Sequence, residues 1–107
     1  MTFKEWLDKQ CEKRAPKLEG DAIVTNIRFE ELKLNNGVSL SVQASEYHYC
    51  EPKETLKTNQ YESVEVYAHG ETVEQLSYHT FDGNVYKYIP VEEMELVCER
   101  NGGIANG

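Results

Sequence analysis

Apolar side chains recur at Phe3, Trp6, Leu7 and Cys11, three and four positions apart, while Lys4, Asp8, Lys9, Glu12 and Lys13 fall largely outside that stripe. This spacing predicts an amphipathic helix. Thr2 and Glu5 form a capping box, in which a hydroxyl and a carboxylate satisfy helix N-terminal amides, and the helix should stop near Arg14, before Pro16. Residues 17–21, with Gly20, read as a loop. From 22 to 34 the period falls to two, with Ile27 and Phe29 on one phase and Leu32 and Leu34 on the other. The change of phase predicts a strand with a bulge near Glu30 and Glu31. Asn35-Asn36-Gly37 is a turn signal, after which Val38, Leu40, Val42 and Ala44 alternate with Ser39, Ser41 and Gln43. A hairpin with one buried and one wet face is expected there.

After the irregular stretch 45–60 the alternation returns at 61–67, with Val64 and Val66 toward the core and Tyr61, Ser63, Glu65 and Tyr67 opposite. A short helix over 71–76 and, after the turn residues Asp82-Gly83-Asn84, a strand over 85–89 come next. Pro90 suits the start of a last helix, with Glu92 and Glu93 in its first turn, Arg100 in its last and Asn101-Gly102-Gly103 at its C-cap. Val91, Met94, Val97 and Cys98 make its apolar stripe. The order of elements predicts an α+β fold: a small antiparallel sheet of about four strands, with an N-terminal and a C-terminal helix packed on one face. One domain over 1–107 is expected, with the first helix and loop in 1–18, the sheet in 22–89 and the last helix in 90–104. A chain of 107 residues holds one core and leaves no room for separate catalytic and binding domains.

Charge sharpens the picture because it is unevenly spread. Residues 1–42 carry seven bases and seven acids, whereas residues 43–107 carry twelve acids against Lys53, Lys57, Lys87 and Arg100, so the whole net charge of −8 lies downstream. Such a surface repels phosphate backbones, which disfavours direct binding of DNA or RNA and favours a basic protein partner. No apolar run approaches the roughly 20 residues that cross a bilayer, and the amino terminus lacks the layout of a signal peptide, so no membrane role and a cytosolic location are expected. Three cysteines without a CxxC pair point to reduced, buried thiols.

The densest chemistry is Tyr47-His48-Tyr49-Cys50-Glu51-Pro52-Lys53. Cys50 with His48 could act as a nucleophile and its base, or the pair could join His69, His79 or Cys98 around a metal. The spacing is not that of structural zinc sites, and Glu46 and Glu51 would raise the thiol pKa that a nucleophile needs lowered. Glu62, Glu65 and Asp82 offer carboxylate pairs for acid–base work, but twelve acids in 65 residues produce such pairs by chance. Neither an enzyme nor a cofactor is expected. The remaining feature is a surface in which tyrosines are interleaved with acids, for which Glu46, Tyr47, Tyr49, Glu51, Tyr61, Glu62, Glu65, Tyr67, Glu71 and Glu74 are the candidate protein-binding residues. Carboxylates on it could stand where the phosphates of a nucleic acid would lie.

Three stretches, "LSVQASEYHYCEPK" (40–53), "YESVEVY" (61–67) and "VYKYIPVEEMELVCERNGGI" (85–104), carry a resemblance to a group of small bacteriophage and prophage proteins. The shared pattern is Q-A-S, Y-C-x-P-R/K, a tyrosine-initiated strand, V-Y-x-Y-V/I-P and a last helix ending in Gly-Gly. It spans residues 38–104 and excludes the first helix. Lys53 stands where the group more often has arginine, which puts in doubt any role requiring a bidentate guanidinium. The group has no assigned activity, so the resemblance implies no catalytic residues. It implies an accessory protein of the bacterial cytosol that binds and blocks host machinery, such as a nuclease, a restriction enzyme or a CRISPR effector. A virion structural or assembly protein, with self-association as a homodimer, and a small metal- or cysteine-dependent enzyme are the alternatives.

Overall fold

The computed structural model describes residues 1–14, 17–24, 27–79, 81–82 and 85–106. Helix α1 (Phe3–Lys13) begins with the expected capping box, Thr2 donating its amide to Glu5 Oε1 at 2.9 Å and Glu5 its amide to Thr2 Oγ1 at 3.1 Å. Its buried face holds Phe3, Trp6, Leu7 and Cys11 and the polar Gln10, and its C-cap residue, Arg14, is buried as well.

Residues 17–21, expected as a loop, belong instead to a hairpin of β1 (Lys17–Glu19) and β2 (Ala22–Val24), in which Gly20 takes the positive φ the reversal needs. The long strand expected over 22–34 is broken. Only β3 (Leu32–Lys33) joins the main sheet, because the backbone just before it is bonded by glutamine side chains and not by a neighbouring strand. Gln43 accepts from the Phe29 amide at 2.9 Å and donates to its carbonyl at 3.3 Å, and Gln10 accepts from the Glu30 amide at 2.8 Å. Once those polar groups are satisfied, no ladder is required of them.

The turn at Asn35-Asn36-Gly37 is present and leads into β4 (Ser39–Gln43). Next come β5 (Ser63–Tyr67), a 3-10 turn (Glu74–Leu76) in place of the expected helix over 71–76, β6 (Phe81–Asp82), β7 (Val85–Pro90) and α2 (Val91–Arg100). The Asp82-Gly83-Asn84 turn lies partly outside the described residues. The main sheet runs β3-β4-β5-β7-β6, all antiparallel, so it is five strands wide with a two-residue strand at each edge. Leu40, Val42, Val64, Val66 and Ile89 form one core with Phe3, Trp6 and Leu7 of α1 and Val91, Met94 and Val97 of α2. The architecture is therefore α+β. Burial of each large side chain in this core is worth about 1.5–3 kcal/mol. The wet face expected for β4 is not wet, since Ser41 and Gln43 are buried along with Leu40 and Val42. Among the described residues no helix is long and apolar enough to cross a membrane.

Beyond α2 the chain turns back at Gly102 and Gly103, both at positive φ, and lies along β3. Leu34 bridges to Ile104, the Ala105 amide reaches Lys33 O at 2.7 Å, and Asn106 holds both the Lys33 amide and the Glu31 carbonyl at 2.7 Å. Asn35 and Asn36 bond in turn to the backbone of Gly103, Gly102 and Asn101. This tail covers the outer edge of the sheet, a role that its Gly-Gly cap did not announce.

Candidate functional site

Opposite the helices, the segment 45–51 crosses the sheet and is fastened through the backbone of Tyr49. Its amide donates to Glu65 Oε2 on β5 at 3.0 Å, and its carbonyl accepts from the Tyr88 amide on β7 at 3.2 Å. Tyr88 can do this because β7 bulges there: Val64 faces Ile89 and Val66 faces Tyr86, leaving Lys87 and Tyr88 against Glu65 alone. Tyr88 takes φ +54, a costly conformation for a bulky residue, which turns its amide away from β5. Its ring meets that of Tyr49 edge-on at 6.0 Å, and Lys87 and Lys53 hold their ammonium groups 4.1 and 5.5 Å from the Tyr49 ring centre. Tyr88 and Lys87 were not among the expected binding residues, and only a bulge could have brought them in.

The far end of the segment hangs on Arg14. Arg14 is 2% exposed, and among the described residues its guanidinium pairs with no carboxylate, donating to the carbonyls of Leu56 at 2.9 Å, Ile27 at 3.3 Å and Ala44, and to the Tyr61 hydroxyl. The rings of Phe29 and Tyr61 flank it at 4.6 and 5.6 Å. Tyr61 accepts from the Leu56 amide as well, at 2.9 Å. Burial pushes its phenol pKa up, against Arg14 and the Leu56 bond, so the hydroxyl stays protonated. Tyr61 was expected on the binding surface; it is 5% exposed and serves as the anchor of the loop, which removes it from that surface.

The other candidates divide into two groups. Glu46, Tyr47, Tyr49, Glu51 and Glu62 are exposed near the 45–51 crossing, where Glu51 bridges to Ser63 and accepts the Glu62 amide at 2.8 Å. Glu65 and Tyr67 are half-buried on the sheet face beneath it. Glu71 and Glu74 are exposed but follow the turn at the opposite end of β5, so they extend the acidic surface without joining the crossing.

Between the crossing and the sheet lies a cleft of about 290 Å³, lined by Arg28, Ser41, Gln43, His48, Glu65 and Tyr67. Ser45 and His48 make a close pair, Oγ to Nδ1 at 2.6 Å, with the Tyr47 amide donating to the same Oγ at 3.0 Å. Ser45 is completely buried, so this pair positions the imidazole and cannot present a nucleophile to a substrate. Burial holds the His48 pKa below its ordinary value, with Arg28 and Arg14 adding to the shift and Glu65 opposing it. The folded state therefore favours neutral His48. Stability from this group is complete above about pH 6.5, the unfolded value, and is lost as pH falls below it, because the unfolded chain takes up the proton first. Urea unfolding at pH 7.5, 6.0 and 5.0 should show this decline, and His48→Gln should reduce it; an unaltered slope in the variant would assign the effect elsewhere.

The thiols do not have the properties of a catalytic site. Cys50 donates to the carbonyls of Ser45 at 3.3 Å and Pro52 at 3.4 Å, and burial raises its pKa. Burial pushes Cys11 and Cys98 up to about 11 and about 12. All three are protonated at neutral pH, the opposite of an activated nucleophile. His69 pairs with Glu31 and His79 with Glu93, in two separate places, and among the described residues no three His, Cys, Asp or Glu side chains converge as metal ligands do. The Asp82 side chain lies outside the described residues. No protein family, curated protein or solved structure matches the chain.

Proposed function

We propose that this chain is a small acidic accessory protein of phage type that binds a basic surface on a host defence protein, such as a nuclease or CRISPR effector, and blocks it. The observation that carries this reading is the exposed crossing 45–51, where Tyr47, at 71% exposure, and Tyr49 stand in solvent beside Glu46, Glu51 and Glu62. Rigid aromatic rings give contact area at small entropic cost, and carboxylates around them select a basic partner and speed its approach. The loop is pinned at Arg14, Tyr49 and Tyr61, so little ordering entropy remains to be lost on binding. The same acidic spread suits the mimicry of a nucleic-acid backbone in a groove built for one.

The test uses tagged protein incubated with purified host nucleases and CRISPR effectors at low and high salt, with nuclease activity measured alongside. Glu46→Lys combined with Glu62→Lys is expected to weaken binding at least tenfold, about 1.4 kcal/mol, and to flatten its salt dependence. These two carboxylates stand in solvent, so the fold should be unaffected. Binding that ignores both reversals, or binding without inhibition, would refute the proposal.

A further inference from the structure

The cleft beneath the crossing contains a carboxylate held in place by a backbone amide. Most of the acids are exposed, whereas Glu65 is half-buried and fixed, with one oxygen already accepting from the Tyr49 amide at 3.0 Å. A carboxylate offers about four acceptor positions, so the group can take further donors without giving up that bond. Around it stand the Tyr67 ring, kept in place by the edge-on His69 ring at 4.5 Å, and the imidazole of His48, held by Ser45. Ser41 and Gln43, bonded to each other at 3.2 Å, form a polar floor. An aromatic wall, a fixed carboxylate and the −8 field of the molecule all favour a cation. At about 290 Å³ the cleft sits at the lower limit of small-ligand pockets, about 300 Å³, which is room for one long side chain.

We propose that the cleft lined by His48, Glu65 and Tyr67 is a subsite for a single cationic side chain, an arginine or lysine presented by a protein partner, with Glu65 as its counter-charge. The inference rests on the protein-binding reading above and makes it specific: the exposed acids steer the partner, and Glu65 receives one of its residues. An anion is disfavoured because it would meet the Glu65 carboxylate at close range. Arg28, which also lines the cleft and has contacts of its own, opposes the cation and so limits its affinity.

The experiment is an amide NMR titration of the full chain with Nα-acetyl-arginine methylamide. The matching citrulline derivative, equal in shape and uncharged, serves as the control, and the glutamate derivative as the anionic arm. The arginine probe is expected to shift Gln43, His48, Glu65 and Tyr67 and to bind roughly tenfold more tightly than citrulline, a difference of 1.4 kcal/mol. Glu65→Gln, which keeps an oxygen for the Tyr49 amide, should remove that preference. Arg28→Gln, which removes the positive charge lining the cleft, should strengthen arginine binding severalfold. Equal response to citrulline, a preference for glutamate, or undiminished arginine binding to Glu65→Gln would each overturn the proposal. Loss of the subsite alone would leave the acidic-surface reading standing, since that reading is tested on Glu46 and Glu62.

Discussion

Replacing Arg14 by alanine is expected to cost about 3–5 kcal/mol, a large part of the 5–15 kcal/mol that holds a domain of this size together. The reason is the number of polar groups it leaves stranded. Three carbonyls, on Leu56, Ile27 and Ala44, accept from this one guanidinium, as does the Tyr61 hydroxyl, which keeps the Leu56 amide, and each buried carbonyl left without a donor costs about 1–3 kcal/mol. Lysine should fare little better, because its ammonium is a point donor at the end of a flexible stem and cannot span acceptors set around a planar fork. Tyr61→Phe removes one member of the set and should cost about 1–2 kcal/mol. Urea unfolding followed by tryptophan fluorescence measures all three, and hydrogen exchange should show the 45–60 segment opening first. A loss below about 1 kcal/mol for Arg14→Ala would mean that water replaces the guanidinium without penalty, and the anchor would lose its meaning.

The second large effect is expected at Gly102, where a valine should cost about 2–3 kcal/mol. The position sits at φ +89, and a Cβ there would stand 3.2 Å from Asn35 Cβ, tighter than ordinary contact. Asn35 is held by its own bonds to Gly102 and Gly103 and has little freedom to retreat. Gly37 is the matched control: its φ is +93, but an added Cβ meets nothing within 4 Å. Gly37→Val should therefore show backbone strain alone, and the excess at Gly102 reports the contact with the turn. Equal losses at the two glycines would show that the tail gives way freely and contributes nothing to the edge of the sheet.

The α+β architecture was legible from periodicity. Phe3, Trp6, Leu7 and Cys11 wrote α1, Val91, Met94, Val97 and Cys98 wrote α2, and the alternation at Leu40, Val42, Val64 and Val66 wrote the centre of the sheet. What the pattern hid were polar side chains acting as backbone. Gln10, Gln43 and Asn106 supply bonds that a strand would otherwise provide, and a periodic reading treats all three as surface residues. Tyr61 was misplaced for a related reason: alternation assigned it to the polar face, but a buried cation at Arg14 drew its hydroxyl inward. The acids and tyrosines at 46–51 are exposed, whereas Tyr88 and Lys87 reach the same place through a bulge, which has no local signature without glycine.

The position of β7 and the tail also fixes when the domain can exist during its own synthesis. β7 lies between β5 and β6, α2 packs into the common core, and residues 103–106 close the edge at β3. A nascent chain that has emerged only as far as β5 has its central strand unpaired on one side and more than a third of its core missing. Contacts spanning some 65–75 residues must form late and together. Folding is thus withheld until residues 85–106 are free, and the partly made chain is the species most exposed to proteases and to association through its unpaired β5.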